Sequence, residues 1–192
     1  MKLNQHQMFP VTTMQISWLD QWIPWFPSAV YLYESIFLLM PIAPWLTVTK
    51  SELNAYCIGF IFMSLVGFCI FFFFPTLNPR PQVINGANSL YLELIRFDNG
   101  INACPSFHAA FTVYHGILCH FTFNAGNRNR WVRRIIWVWA LGILASALLT
   151  KQHVFMDLVA GSLLGICGAA LCRISLKLSS QWKERPGEQR EH

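Results

Sequence analysis

The chain has 192 residues, 54% of them hydrophobic and only 12% charged, with a mean hydropathy of +0.39. Soluble domains carry about 25% charged residues, and a sphere of this size cannot hide so much apolar surface, so lipid has to solvate the remainder. The net charge of +5 does not indicate nucleic acid, because the cations lie in short segments between apolar runs rather than along one soluble face. The six cysteines show no C-x-x-C spacing, and all but Cys104 fall inside apolar runs, where a thiol is a small hydrophobe. Length gives one domain.

In chain order, the N-terminal MKLNQHQMFP lacks the apolar core and small-residue site of a cleavable signal peptide, so none is expected. The segment TTMQISWLDQWIPWF combines three tryptophans with polar residues and predicts a helix lying in the membrane interface. Five apolar runs follow, each long enough to cross a hydrocarbon layer of about 30 Å at about 1.5 Å per residue. They fall near Ser28–Val48, Asn54–Pro75, Pro105–Phe123, Trp131–Thr150 and Val154–Ile174. The expected fold is therefore all-α: a polytopic membrane helix bundle of about five transmembrane helices plus an N-terminal interfacial helix. Residues 1–27 form the interfacial segment, 28–176 the transmembrane catalytic domain and 177–192 a basic cytoplasmic tail.

The cations set the orientation. Arg128, Arg130, Arg133, Arg134, Arg173, Lys177, Lys183, Arg185, Arg190 and Lys50 make ten on one side, against Lys2, Arg80, Arg96 and Lys151 on the other. The side with ten is expected to be cytoplasmic. The outer side then receives the N-terminus, the 29-residue loop Thr76–Cys104 and the short turn around Lys151–His153. Within that loop SLYLELIRF is too short to span and is expected to lie flat on the membrane, bordering a lipid entrance.

Three polar clusters converge on this outer face: FPTLNPRP with Arg80, CPSFHAA with Ser106 and His108, and TKQHVFMD with Lys151, His153 and Asp157. His153 and Asp157 are four apart at a helix start and share a face. A carboxylate on one imidazole nitrogen fixes the tautomer and leaves the other nitrogen free to attack. Pro105 suits a first helical turn, and the free amides of that helix start, strengthened by the dipole, make an anion site at Ser106. His108 is placed to trade a proton with a leaving group. Arg80 offers a planar fork for phosphate oxygens and Lys151 a point charge. Two histidines, a carboxylate and fixed cations around an anion site describe metal-free phosphoryl transfer. His115 and His120 read as helix-packing hydrogen-bonders. Lys151 also fits an ordinary snorkelling lysine, and Glu34 is a buried acid with a helix dipole or His115 as its candidate partners. Gly161, Gly165 and Gly168 form a small-residue face for close packing of the last span.

At these residues the chain resembles the type 2 phosphatidic acid phosphatase superfamily, whose pattern is K-x-x-x-x-x-x-R-P, then P-S-G-H, then S-R-x-x-x-x-x-H-x-x-x-D. Arg80-Pro81, Pro105-Ser106-Phe107-His108 and His153 to Asp157 match its core, and the resemblance runs from about Phe74 to Gly161. The family lysine falls at Phe73, the last arginine at Ala147 and the glycine at Phe107, and these departures are similar to the branch containing sphingomyelin and inositol phosphorylceramide synthases. The resemblance implies His153 as nucleophile, Asp157 as its orienter, His108 as acid and base, and a phosphate held by Arg80 and Ser106, with Lys151 in place of a missing cation. It also implies no cofactor and no metal, a lipid phosphate substrate and no nucleic acid. The expected activity is lipid phosphate phosphatase at the outer face of a bacterial inner membrane. A lipid phosphotransferase is the alternative enzyme, and a non-catalytic lipid-phosphate carrier or scaffold the alternative of another class. The sequence leaves oligomeric state open.

Overall fold

The computed structural model describes residues 9–80, 86–98, 100–124 and 130–183; Lys2, Pro81, Arg128, Arg185 and Arg190 lie outside them. Inside lipid every backbone polar group has to be satisfied within its own segment, which makes the α-helix the default for an apolar run. The elements in order are β1 (Thr12–Thr13), α1 (Trp18–Trp22), α2 (Val30–Glu34), α3 (Ile36–Leu39), α4 (Ile42–Trp45), α5 (Lys50–Phe73), β2 (Thr76–Leu77), α6 (Ser89–Phe97), α7 (Phe107–Asn124), α8 (Arg130–Leu149) and α9 (Phe155–Lys183). The fold is an all-α membrane bundle. Among the described residues, α5, α8 and the Phe155–Gln181 part of α9 are each long and apolar enough to cross a membrane. Helix α7 is shorter, 18 residues, and carries His108, His115 and His120; it lies packed between α8 and α9.

Two expectations need correction. The first run is not one helix but a 3-10 turn at Pro27–Ala29 followed by α2, α3 and α4. The Ser35 hydroxyl donates to the Leu32 carbonyl at 2.6 Å where the helix breaks. Pro41 and Pro44 then remove two backbone donors, and Thr47 Oγ1 donates to the Pro44 carbonyl at 2.7 Å. The broken segment still runs the length of α8. Phe26 N–H donates to Leu149 O at 2.8 Å at one end, and Ile36, Leu39 and Ala43 pack with Cys119, Ile136, Ala140 and Ile143 towards the other. The second correction concerns the N-terminal helix, which shrinks to the five residues of α1. Ser17 and Asp20 close a capping box at its start, and Pro24 stands just beyond its end. Trp18 and Trp22 are exposed, as interfacial indoles should be, but Asp20 is buried.

Helices α7 and α9 begin side by side and run parallel. Ser106 N–H donates to Asp157 O at 3.1 Å. A Cβ on Gly161 would stand 2.1 Å from the Ser106 carbonyl oxygen, and one on Gly165 2.4 Å from that of Ala110. Only glycine lets the two backbones meet this closely. Gly59 of α5 faces Gly168 in the same way, at 2.6 Å.

At the end of the bundle where α7 and α9 start, three strands of chain are laced together. β1 pairs in parallel with β2, Thr12 opposite Thr76 and Thr13 opposite Leu77, and Leu77 forms an antiparallel bridge with Ile101. Cys104 N–H donates to Thr76 Oγ1 at 2.9 Å. Helix α6 closes this end, with Asn88 Oδ1 capping Tyr91 N–H at 2.9 Å and Tyr91 buried, its hydroxyl donating to Thr150 O at 3.0 Å.

Candidate active site

The turn between α8 and α9 is tightly held. Gln152 and His153 donate their N–H groups to Ala147 O at 3.2 and 3.3 Å. Lys151 takes a left-handed φ of 54°, uncommon for a residue with a side chain. From β2, Asn78 Nδ2 donates to the carbonyls of Lys151 and Gln152 at 3.2 and 2.6 Å. His153 therefore stands on a turn fixed from two sides. Asp157, fully buried, is the third residue of α9 and points back over the helix start. Its Oδ2 accepts the Val154 N–H at 3.2 Å and lies 3.4 Å from His153 Nδ1. The carboxylate thus caps the helix that carries it and faces the imidazole. With Nδ1 turned to Asp157, Nε2 is the nitrogen of His153 left to react.

His108 comes to the same place from α7. Pro105 does not sit in the first helical turn as expected: α7 begins at Phe107, and Ser106 is the capping residue, its Oγ accepting Ala109 N–H at 3.2 Å. Pro105 precedes the cap, and the Cys104–Pro105 peptide bond is cis. His108 and His153 both line a cavity of about 230 Å³, walled by Tyr33, Phe71, Phe107 and Gln152 and by residues Gly100 to Ala103. Sequence separation of 45 residues is bridged because α7 and α9 start side by side.

The expected phosphate-binding groups are engaged elsewhere. Arg80 forms an ion pair with Asp98, Nη2 to Oδ2 at 2.9 Å, and Nη1 donates to the Asp98 carbonyl. Asp98 also borders the cavity, whereas Arg80 is not among the residues that line it. Lys151 is turned to the N-terminal segment, Nζ donating to the carbonyls of Asp20 and Ile23 at 2.7 Å each. Burial pulls this ammonium below the usual lysine range, with the Asp20 charge opposing. Lys151 acts here as a brace, and a phosphate-binding role finds no support in this geometry. Ser106 is fully buried, so its hydroxyl belongs to the helix cap rather than to an open anion site. Among the described residues no three His, Cys, Asp or Glu side chains cluster as metal ligands.

Asp20 is a member of the site that the sequence pattern did not reveal. Its Oδ2 serves the capping box of α1, while Oδ1 accepts Phe155 N–H, the first residue of α9, at 2.7 Å. The S-x-x-D spacing signalled the local cap but not this second use across 135 residues of sequence. His115, by contrast, is satisfied within the bundle: Nδ1 donates to Phe111 O at 2.7 Å and Nε2 lies 3.1 Å from Tyr56 Oη, so Glu34 is not its partner. His120 Nδ1 accepts from Trp137 Nε1 at 3.1 Å. Both are packing histidines.

A family model described as PAP2 superfamily matches residues 12–171. The chain belongs to the PAP2 superfamily. Neither a curated protein nor a solved structure matches it. Membership makes this a membrane protein of phosphatase or phosphotransferase type. The chain departs at three positions from the motif that the resemblance implies. Phe73, in the lysine position, is half-exposed beside Phe9 and Phe72. Ala147, in the arginine position, is buried with Tyr33, Ala109 and Leu158, and no long cation would fit there. Phe107 occupies the glycine position because Gly67 makes room: a Cβ on Gly67 would stand 2.1 Å from the Phe107 ring.

Proposed function

We propose that the chain is a lipid phosphate phosphatase that works through a phosphohistidine at the extracytoplasmic face of a bacterial inner membrane. The observation that carries this reading is the shared cavity of His108 and His153, with Asp157 buried behind the second. In the first step His153 Nε2 attacks phosphorus. The N–P bond forms as the P–O bond to the lipid alcohol breaks, and His108 gives that oxygen its proton. Asp157 stabilises the positive charge on the imidazole, and the long 3.4 Å contact shortens as that charge develops. In the second step water attacks phosphorus, loses a proton to His108, and the N–P bond breaks to release phosphate. Arg80 is the cation at hand for the phosphate oxygens, reaching them by exchanging Asp98 for substrate. Residues 28–176 carry the reaction, with the 1–27 segment as brace and the 177–192 tail in the cytoplasm.

A transferase of the sphingomyelin or inositol phosphorylceramide synthase kind would use the same first step, with an alcohol in place of water. Purified protein is therefore to be tested on a panel of lipid phosphates with and without acceptor alcohols. Release of inorganic phosphate independent of acceptor, lost in His153→Ala, is the expected result. Phosphorylated acceptor without free phosphate would make the chain a transferase, and binding of the lipids without turnover would make it a carrier.

A further inference from the structure

His108 is held in a way that the motif does not explain. Its Nε2 lies 2.8 Å from the backbone carbonyl of Tyr33. A carbonyl only accepts, so this nitrogen carries the proton. Nδ1 is then the ring atom left without a partner among the described residues, on a ring that lines the cavity. The plane of the ring is fixed as well, because the imidazole stacks face to face on the Tyr33 ring, with centroids 3.7 Å apart and planes 3° from parallel. Tyr33 is buried and packs with Ala109, Ala147 and Leu158, so it is itself well held. Its carbonyl stands at the end of α2, where it accepts a backbone N–H of the helix cap and has a second lone pair for the His108 ring.

We propose that Tyr33 is the positioning residue for His108, and that His108 exchanges protons with leaving group and water through Nδ1. This rests on the phosphatase reading, which supplies the proton to be exchanged. In the first step the His108 ring carries a proton on each nitrogen, and the Nδ1–H proton passes to the departing lipid oxygen while Nε2–H stays on the Tyr33 carbonyl. In the second, Nδ1 takes a proton from the attacking water while Nε2–H stays on the Tyr33 carbonyl. The end of α2 thereby supplies the acceptor that holds His108.

Two measurements test this. Wild-type protein labelled with ¹⁵N-histidine, its signals assigned with a His108→Gln variant and followed across pH, should show the neutral form of His108 with its proton on Nε2. A proton on Nδ1 instead overturns the proposal. Kinetically, Tyr33→Phe, which keeps ring and carbonyl, should turn over within about threefold of wild type. Tyr33→Leu, which loses the stack, should lose roughly ten- to a hundredfold in kcat, a fraction of what a general acid–base group contributes, with KM nearly unchanged in protein that stays folded at the assay temperature. Equal kcat for Tyr33→Leu and wild type overturns the positioning role. The spectroscopic result needs no turnover: Nε2–H in a protein that releases no phosphate supports the assignment of the atom and overturns only the reaction.

Discussion

Asp157 does two jobs with one oxygen. A buried carboxylate is costly without partners, by about 1–3 kcal/mol for each missing hydrogen bond, and here Oδ2 has both the Val154 N–H and the His153 ring. Asp157→Asn keeps the size of the side chain but removes the charge that balances an imidazolium. It should lower kcat by roughly 10²–10⁴-fold while leaving the protein folded and inserted; a loss under threefold would make Asp157 purely a helix cap. The same residues make a prediction about metal. The described residues form no cluster of three or more metal-ligating side chains, and the proposed mechanism assigns the polar chemistry to Arg80 and the histidines. Turnover in excess EDTA should therefore equal that in buffer, with vanadate inhibiting as a five-coordinate phosphoryl mimic. Loss in EDTA that magnesium restores would contradict the mechanism.

At the scale of elements, the site depends on how closely α7 and α9 approach. The contact of Ser106 N–H with Asp157 O ties the two helix starts together, and Gly161 stands one turn further along α9, against the Ser106 carbonyl. Gly161→Ala puts a methyl group 2.1 Å from that oxygen, so the helices must separate. The expected cost is about 1–3 kcal/mol of stability, as for other overpacked contacts, read as a lower melting temperature in detergent. Activity should fall more than stability does, because the displacement separates His108 from His153. Gly142→Ala is the control: its Cβ would meet only the end of the Leu32 side chain, at 3.1 Å, and activity should be retained.

For the whole molecule the open question is sidedness. Cys104 lies half-buried on the active-site end of the bundle, and burial, with the Asp157 charge adding, pushes its thiol up to about 11. Only the thiolate reacts, so an impermeant thiol reagent on intact cells should label Cys104 slowly at pH 7. The rate should rise about tenfold per pH unit up to pH 10, and Cys104→Ser should abolish the signal. Ser180→Cys, exposed near the far end of α9, should react only after the membrane is opened. The opposite pattern would put the site in the cytoplasm. Sequence alone determined that the chain belongs in lipid, because 54% hydrophobic residues in runs of span length leave no other solvent. It also determined the pairing of His153 with Asp157, because a four-residue spacing on a helix is local geometry. The later interruptions of the first span were written in Pro41 and Pro44, but the break after Glu34, beside the carbonyl that meets His108, was not. Tertiary structure alone decided that Tyr33 holds His108, that Asp20 caps α9 and that Lys151 braces α1. Each of these contacts joins residues 75 to 135 positions apart, and no periodicity along a chain encodes which distant carbonyl a side chain will meet.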